Sequence, residues 1–203
     1  MKEKCAAAAL DFIKEGMTVG LGGGSTVALL LDNILASGKQ VAIVTPSTDT
    51  EQLCREKGVL PLSLEGLSKI DLAFDGCDEL DQNLNALKSC GGIHTREKIV
   101  AKMAKDYVLL ADEEKWQSQL AFAFPVTVEV IRSAKSLVQT LLEKKGARVS
   151  IRQSQGKAGY LISDDGHYLL EAHFEKVEDL EDLNHYLDSL PGVIAHSLFY
   201  QVA

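Results

Sequence analysis

The chain has 203 residues, 46% hydrophobic and 25% charged, a mix that suits one main globular domain carrying a smaller one. Its net charge of −8, with Lys and Arg scattered among the acids, argues against nucleic-acid binding, which relies on clustered positive charge. No apolar run approaches the ~20 residues of a membrane span, and the four cysteines (Cys5, Cys54, Cys77, Cys90) form no C-x-x-C pair, which reads as reduced thiols in a cytoplasmic protein.

The opening MKEKCAAAALDFIKEG has its charges misplaced for a signal peptide and reads as an amphipathic helix over roughly 2–15. A short apolar strand at Thr18–Leu21 leads into Gly22-Gly23-Gly24, then Ser25-Thr26 and a helix over Val27–Ala36. Strand Val41–Val44, helix Thr50–Lys57, strand-like Leu60–Leu62 and strand Asp71–Phe74 follow. Thr95 is the expected N-cap of a helix over Arg96–Lys105 that carries Glu97 in its first turn, and Tyr107–Ala111 is a further buried strand. Strands alternating with helices imply an α/β fold, a parallel sheet with helices on both faces.

The pattern changes after Pro125. Val126–Ile131 alternates, Ser136–Lys145 is helical, and Ala147–Arg152 and Tyr160–Ser163 are strand-like. A turn at Asp164-Asp165-Gly166, a strand over His167–Glu175 and a helix over Glu178–Ser189 complete a small α+β unit. The expected organisation is a main α/β domain over 1–124 with a return segment at 196–203, and a small α+β domain over 125–195.

Three segments could carry chemistry. Gly20–Thr26 (GLGGGST) joins a strand to a helix, where glycines let the backbone approach an anion and the helix aims free N–H groups at it. The same run also reads as a tight turn without ligand, and it is neither a P-loop nor a full dinucleotide fingerprint. Asp75-Gly76-Cys77-Asp78-Glu79 follows a strand end, where ligands of open α/β sheets sit, and its acids suit proton transfer, metal binding or a solvated turn. Lys88-Ser89-Cys90-Gly91-Gly92 precedes His94-Thr95-Arg96-Glu97-Lys98; taken alone these are a surface lysine and a helix cap.

Together, GLGGGST, TPSTDTEQL, DLAFDGCDEL, the lysine-glycine turn before TREKIVA, FPVTVEV and LPGVIAHSLF occur in order over nearly the whole chain and resemble the ribose-5-phosphate isomerase A family. The resemblance implies a Rossmann-like main domain with a small inserted α+β domain, a homodimer, no cofactor and no metal. It implies an intramolecular oxidoreductase of the pentose phosphate pathway that interconverts ribose 5-phosphate and ribulose 5-phosphate. It assigns Glu97 as base, Lys88 as electrophile, Asp75 and Asp78 as ring-opening groups, and Gly22, Gly24, Ser25, Thr26, Gly91 and Lys2 as substrate contacts. The sequence departs from the family pattern at Gly23, Ser89-Cys90, Ala123 and Ser197, which keeps open a divergent paralogue that binds a sugar phosphate with altered or lost catalysis. A metal site built from Cys77, Cys90 and His94 is a further alternative, though C-x₁₂-C-x₃-H lacks the paired-cysteine hook of zinc sites.

Overall fold

The structure, a computed structural model, describes residues 1–156 and 158–203. The elements run in chain order α1 (Lys2–Leu10), β1 (Thr18–Leu21), α2 (Ser25–Ser37), β2 (Ala42–Val44), α3 (Thr48–Glu56) and β3 (Ile70–Gly76). Next come β4 (Glu79–Asp81), β5 (Ala86–Leu87), α4 (His94–Met103), β6 (Ala104–Leu110), β7 (Trp116–Gln117) and β8 (Val126–Val130). The remainder is α5 (Lys135–Lys144), β9 (Arg148–Ile151), β10 (Tyr168–His173), α6 (Leu180–Ser189), β11 (Val193–His196) and β12 (Leu198–Phe199).

These elements form two compact units. The first holds Met1–Cys77, Arg96–Trp116 and Val202–Ala203; the second holds Asp78–Thr95 and Gln117–Gln201. Residues 78–95 and 117–124, expected within the main domain, thus pack with the second unit, as does most of the return segment.

In the first unit, β2, β1, β3 and β6 lie in that order in a parallel sheet. Alternation along β1 distributes its side chains to two faces. Val19 and Leu21 join Leu30, Leu31 and Ile34 of α2 and Ala6 and Ala9 of α1 in one apolar cluster. A Cβ at the intervening Gly20 would lie 2.7 Å from the Ala73 Cβ and 3.0 Å from Val100 Cγ1 of α4, so only glycine fits this close approach. Helices therefore cover both faces. Serine caps α3, the Ser47 side chain accepting from the Thr50 N–H at 3.2 Å.

In the second unit, β11, β8, β10 and β9 form an antiparallel sheet. Val126, Val128 and Val130 of β8 pack with Leu142 of α5, and with Leu183 and Leu187 of α6. The alternate residues Thr127 and Glu129 are buried as well. An alternating strand with one wet face is thus not what forms: both polar side chains are consumed by hydrogen bonds inside the unit. A second small sheet pairs β12 with β5 and β5 with β4.

Several element boundaries move. The first helix ends at Leu10, and α2 begins at Ser25, with Gly24 as its N-cap at φ 96°. Leu60–Leu62 contributes a single parallel bridge, Val44 to Leu62, and Tyr160–Ser163 only the bridges Gln153–Tyr160 and Ile162–Tyr168. Strands β4, β5 and β12 are two or three residues long, below what periodicity resolves in a sequence.

One buried carboxylate organises the approach to β8. Glu79 accepts from the backbone N–H groups of Ala121, Phe122 and Phe124 at 2.9, 3.0 and 3.0 Å. Phe122 sits at φ 54°, a left-handed conformation that a bulky residue keeps only when its surroundings over-determine it. Glu79→Ala removes the acceptor of all three donors, and at roughly 1–3 kcal/mol per orphaned group the expected destabilisation is about 3 kcal/mol or more. Urea denaturation measures it; a loss below about 1 kcal/mol would mean that water substitutes for the carboxylate.

Candidate active site

The glycine run folds as a strand-to-helix turn because three backbone constraints meet there. Gly22 N–H donates to the Phe74 carbonyl at 2.8 Å, and the Gly22 carbonyl accepts from the Thr50 hydroxyl at 2.7 Å. A Cβ at Gly22 would run into the Asp75 carboxylate, so this glycine is demanded by the neighbouring acid. Beyond it, Gly24 turns the chain into α2, whose 13 residues begin at Ser25. The Lys2 ammonium donates to the Ser25 hydroxyl at 2.8 Å. Lys2, Ser25, Thr26 and the open end of α2 thus gather cation, hydroxyls and free N–H groups at one place, an arrangement suited to an anion.

Asp75 closes β3 beside this loop and is 3% exposed. Its Oδ1 accepts from the Gly76 N–H at 2.8 Å, and its Oδ2 accepts from the Tyr107 hydroxyl at 3.3 Å. Tyr107 lies on β6, paired with Ala73 of β3. Burial pushes the Tyr107 phenol far above the ordinary tyrosine range, and the negative charges of Asp75 and then Glu97 push it further. Two of the acids singled out in the sequence therefore bear on one phenol within the first unit. Glu97 sits in the first turn of α4 and is buried. Sequence reasoning missed Tyr107; its only signal was a hydroxyl-bearing aromatic at the head of the apolar run Val108–Leu110.

The remaining candidates lie in the second unit. Asp78 Oδ2 accepts from the Ser89 and Cys90 N–H groups at 2.6 and 2.9 Å. Lys88 is buried; its backbone N–H donates to the Ser197 carbonyl at 2.9 Å, and its ammonium lies 5.6 Å from the Phe199 ring centroid. The Ser89 hydroxyl bonds the Pro125 carbonyl and the Ser197 hydroxyl, which fixes the turn that carries Gly91.

Thr95 does not cap α4. The helix starts at His94, and the Thr95 hydroxyl instead donates to the buried Glu129, which also accepts from the Ser163 hydroxyl at 2.6 Å and meets His167 Nδ1 at 2.8 Å. A buried carboxylate needs such donors more than a helix end needs one cap. The metal reading of Cys77, Cys90 and His94 fails on geometry: among the described residues no group of three or more His, Cys, Asp or Glu side chains could hold a metal ion. The Cys90 thiol is pushed up to about 11, by desolvation first and then by the charge and hydrogen bond of Asp78. No helix among the described residues is long and apolar enough to cross a membrane.

The family model for ribose 5-phosphate isomerase A (phosphoriboisomerase A) matches residues 42–203. The chain is 37% identical to ribose-5-phosphate isomerase A of Prochlorococcus marinus (strain MIT 9211), with 100% of this chain and 88% of that protein covered. It is 36% identical to the Pyrococcus furiosus protein of the same name, with 100% and 91% covered. Ribose 5-phosphate isomerase A from Methanocaldococcus jannaschii superposes with a TM-score of 0.91 at 33% identity, over 99% of this chain and 91% of that one. A D-ribose-5-phosphate isomerase in complex with phospho-erythronic acid gives a TM-score of 0.93 at 34% identity, over 100% and 90%.

The Tyr107 environment has a consequence in alkali. The folded phenol holds its proton more tightly than the unfolded one, whose ordinary value is 10.0. Its contribution to stability is complete below that value and is lost as pH climbs above it, because only the unfolded chain then releases the proton. Urea denaturation from about pH 9 to pH 11 should show falling stability, with a shallower fall in Tyr107→Phe. Equal slopes in the two proteins would show that the phenol is not held in this way.

Proposed function

This chain belongs to the ribose 5-phosphate isomerase A family, and we propose that its reaction passes through an enediolate with Glu97 as the base. The protein is an isomerase that interconverts ribose 5-phosphate and ribulose 5-phosphate. The alternative of a divergent paralogue that binds a sugar phosphate with altered or lost catalysis is not favoured, because the likeness runs from one end of the chain to the other.

In the proposed mechanism the phosphate lies at the glycine turn, on Gly22, Gly24, Ser25, Thr26 and Lys2, and Gly91 contacts the substrate from the turn after Lys88. The Lys2–Ser25 hydrogen bond and the open end of α2 support the phosphate assignment. Asp75 or Asp78 takes the ring hydroxyl proton and returns it to the ring oxygen, giving the open-chain aldose. The Glu97 carboxylate then removes the proton on C2 and the electron pair moves toward the carbonyl oxygen on C1. The enediolate carries the resulting negative charge, which the Lys88 ammonium stabilises; removing one such donor typically costs about 3–4 kcal/mol in the barrier. Glu97, now protonated, delivers its proton to C1, and a hydroxyl proton passes from O2 to O1 to complete ribulose 5-phosphate. The atoms balance without an external oxidant or reductant.

The observation that carries this reading is that every acid and the lysine of the family pattern stand in a chain 37% identical to a family member over its whole length. The burial of Asp75, Glu97 and Lys88 supports it further, since a low-dielectric setting strengthens charge on charge. We also place the enzyme in the cytoplasm as a homodimer; its four free thiols accord with a reducing compartment. Sedimentation of the purified protein as a single chain would contradict the dimer.

Glu97→Gln should abolish the exchange of the substrate C2 proton with deuterated solvent while the protein stays folded, because an amide cannot serve as the base. Exchange at the parent rate would remove Glu97 from the mechanism. Lys88→Ala should lower kcat by roughly a hundredfold or more with a smaller change in KM, since its help is needed chiefly in the transition state. A change confined to KM would make Lys88 a binding group.

A further inference from the structure

The turn after Lys88 is gripped from two sides by opposite charges. On its amide side Asp78 Oδ2 accepts from Ser89 and Cys90 N–H at 2.6 and 2.9 Å. On its carbonyl side stands Arg152, whose Nη2 donates to the Ser89 carbonyl at 2.8 Å and whose Nη1 donates to the Cys90 carbonyl at 3.2 Å. Nη2 also donates to the Thr127 hydroxyl at 3.0 Å, and that hydroxyl in turn donates to the Ser89 carbonyl at 3.1 Å. The Nε of Arg152 is anchored on Glu171 of β10 at 2.8 Å, and the arginine side chain is only 14% exposed. One planar cation therefore meets a carboxylate, two carbonyls and a hydroxyl at once. A lysine, with a single compact ammonium, could not span them.

The turn is shaped to this cation. A Cβ at Gly92 would lie 2.9 Å from Arg152 Nη1, and Gly92 has φ 69°, so glycine is required both for the backbone and for the guanidinium. Fixing both the amides and the carbonyls of the Ser89–Cys90 peptides leaves them little freedom to rotate. Gly91, which the proposed function assigns to the substrate, directly follows.

We propose that Arg152, oriented by Glu171, is a positioning residue for the isomerase reaction: it sets the Ser89–Gly91 turn and thereby governs affinity for the sugar phosphate. It acts through the turn and does not touch substrate. The inference rests on the assignment of Gly91 to substrate binding. Lys88 is held separately, by the Ser197 carbonyl and the Phe199 ring, so loss of Arg152 acts on binding more than on the chemical step. An open concavity of about 1010 Å³, bordered by Gly91, Pro125, Ser150, Arg152, Gln155 and Glu171, gives a small cation access to the place the guanidinium occupies.

The test is steady-state kinetics of Arg152→Ala with ribose 5-phosphate, with and without millimolar methylguanidinium. The expected result is a KM raised about tenfold or more, with kcat within about threefold of the parent, because a displaced turn misplaces what it binds. Methylguanidinium should bring KM back toward the parent value, and Arg152→Lys should not. A merely structural role predicts the reverse, a lower kcat from a smaller active fraction at unchanged KM, and that outcome overturns the proposal, as does a raised KM that methylguanidinium leaves unmoved. If Arg152→Ala does not fold, Glu171→Gln decides: it keeps the shape but weakens the anchor, and should raise KM about threefold, an unchanged KM refuting the idea. Gly91→Ala, whose Cβ meets only Ile93 Cγ1 at 3.6 Å, separates the two levels of the argument. If it alters KM and the Arg152 and Glu171 variants do not, the positioning role falls and the binding assignment stands. If none of them alters KM in an active parent, both fall.

Discussion

Four carboxylates crowd into the seven residues Asp75–Asp81, and the fold around the proposed site depends on each of them capturing donors from the main chain. Asp75 takes the Gly76 N–H and the Tyr107 hydroxyl, and Asp78 takes two amides of the turn after Lys88. Glu79 takes three amides of residues 121–124, and Asp81 takes the Asn83 and Asn85 amides and the Asn85 side chain. Like charges so close would repel one another if left bare in a buried segment. Each is instead neutralised by fixed dipoles, and charge-assisted bonds of this kind are stronger than neutral ones. Loops that periodicity would leave undetermined are thereby tied to one strand end.

This explains which parts of the fold were legible beforehand. The parallel sheet was, because apolar runs, glycines and helix caps are local signals: β1, α2, β2, α3 and β3 all fall close to where the pattern puts them. The short strands β4, β5 and β12 were not, since nothing in two or three residues announces a pairing whose partner lies far along the chain. Thr95 shows the same limit. A threonine ahead of a charged helix is a plausible cap in isolation, and only the folded unit reveals a buried Glu129 competing for its hydroxyl. Compact packing also follows the carboxylate bonds: residues 78–95 and 117–124 fall in one unit, on either side of the Glu79 contacts.

The candidate site was legible to a similar degree. Acids, lysine and glycines stood out by type and spacing, but their geometry adds reasons the sequence could not supply. Gly22 is glycine because of the Asp75 carboxylate, whereas the family pattern suggested only an approach to phosphate. Tyr107 and Arg152 carried no motif at all, and each matters through partners more than thirty residues distant in sequence. Net charge misleads in the same way: a charge of −8 does not preclude the proposed phosphate site, because Lys2 and the end of α2 make a local exception to the average.

The way β5 is completed bears on how the protein comes off the ribosome. Leu87 pairs with Leu198, the Lys88 amide bonds the Ser197 carbonyl, and Ser197 in turn bonds Thr127. The proposed electrophile is thus locked by a segment made more than a hundred residues after it. Contacts of such separation carry a large loop-closure cost and form late. While synthesis proceeds, the parallel sheet of the first unit, apart from β6, is already fully encoded by Gly76, whereas the strand bearing Lys88 waits for its partner. A chain ending before residue 197 lacks the partner of β5, so the proposed electrophile is fixed only once translation has passed residue 199.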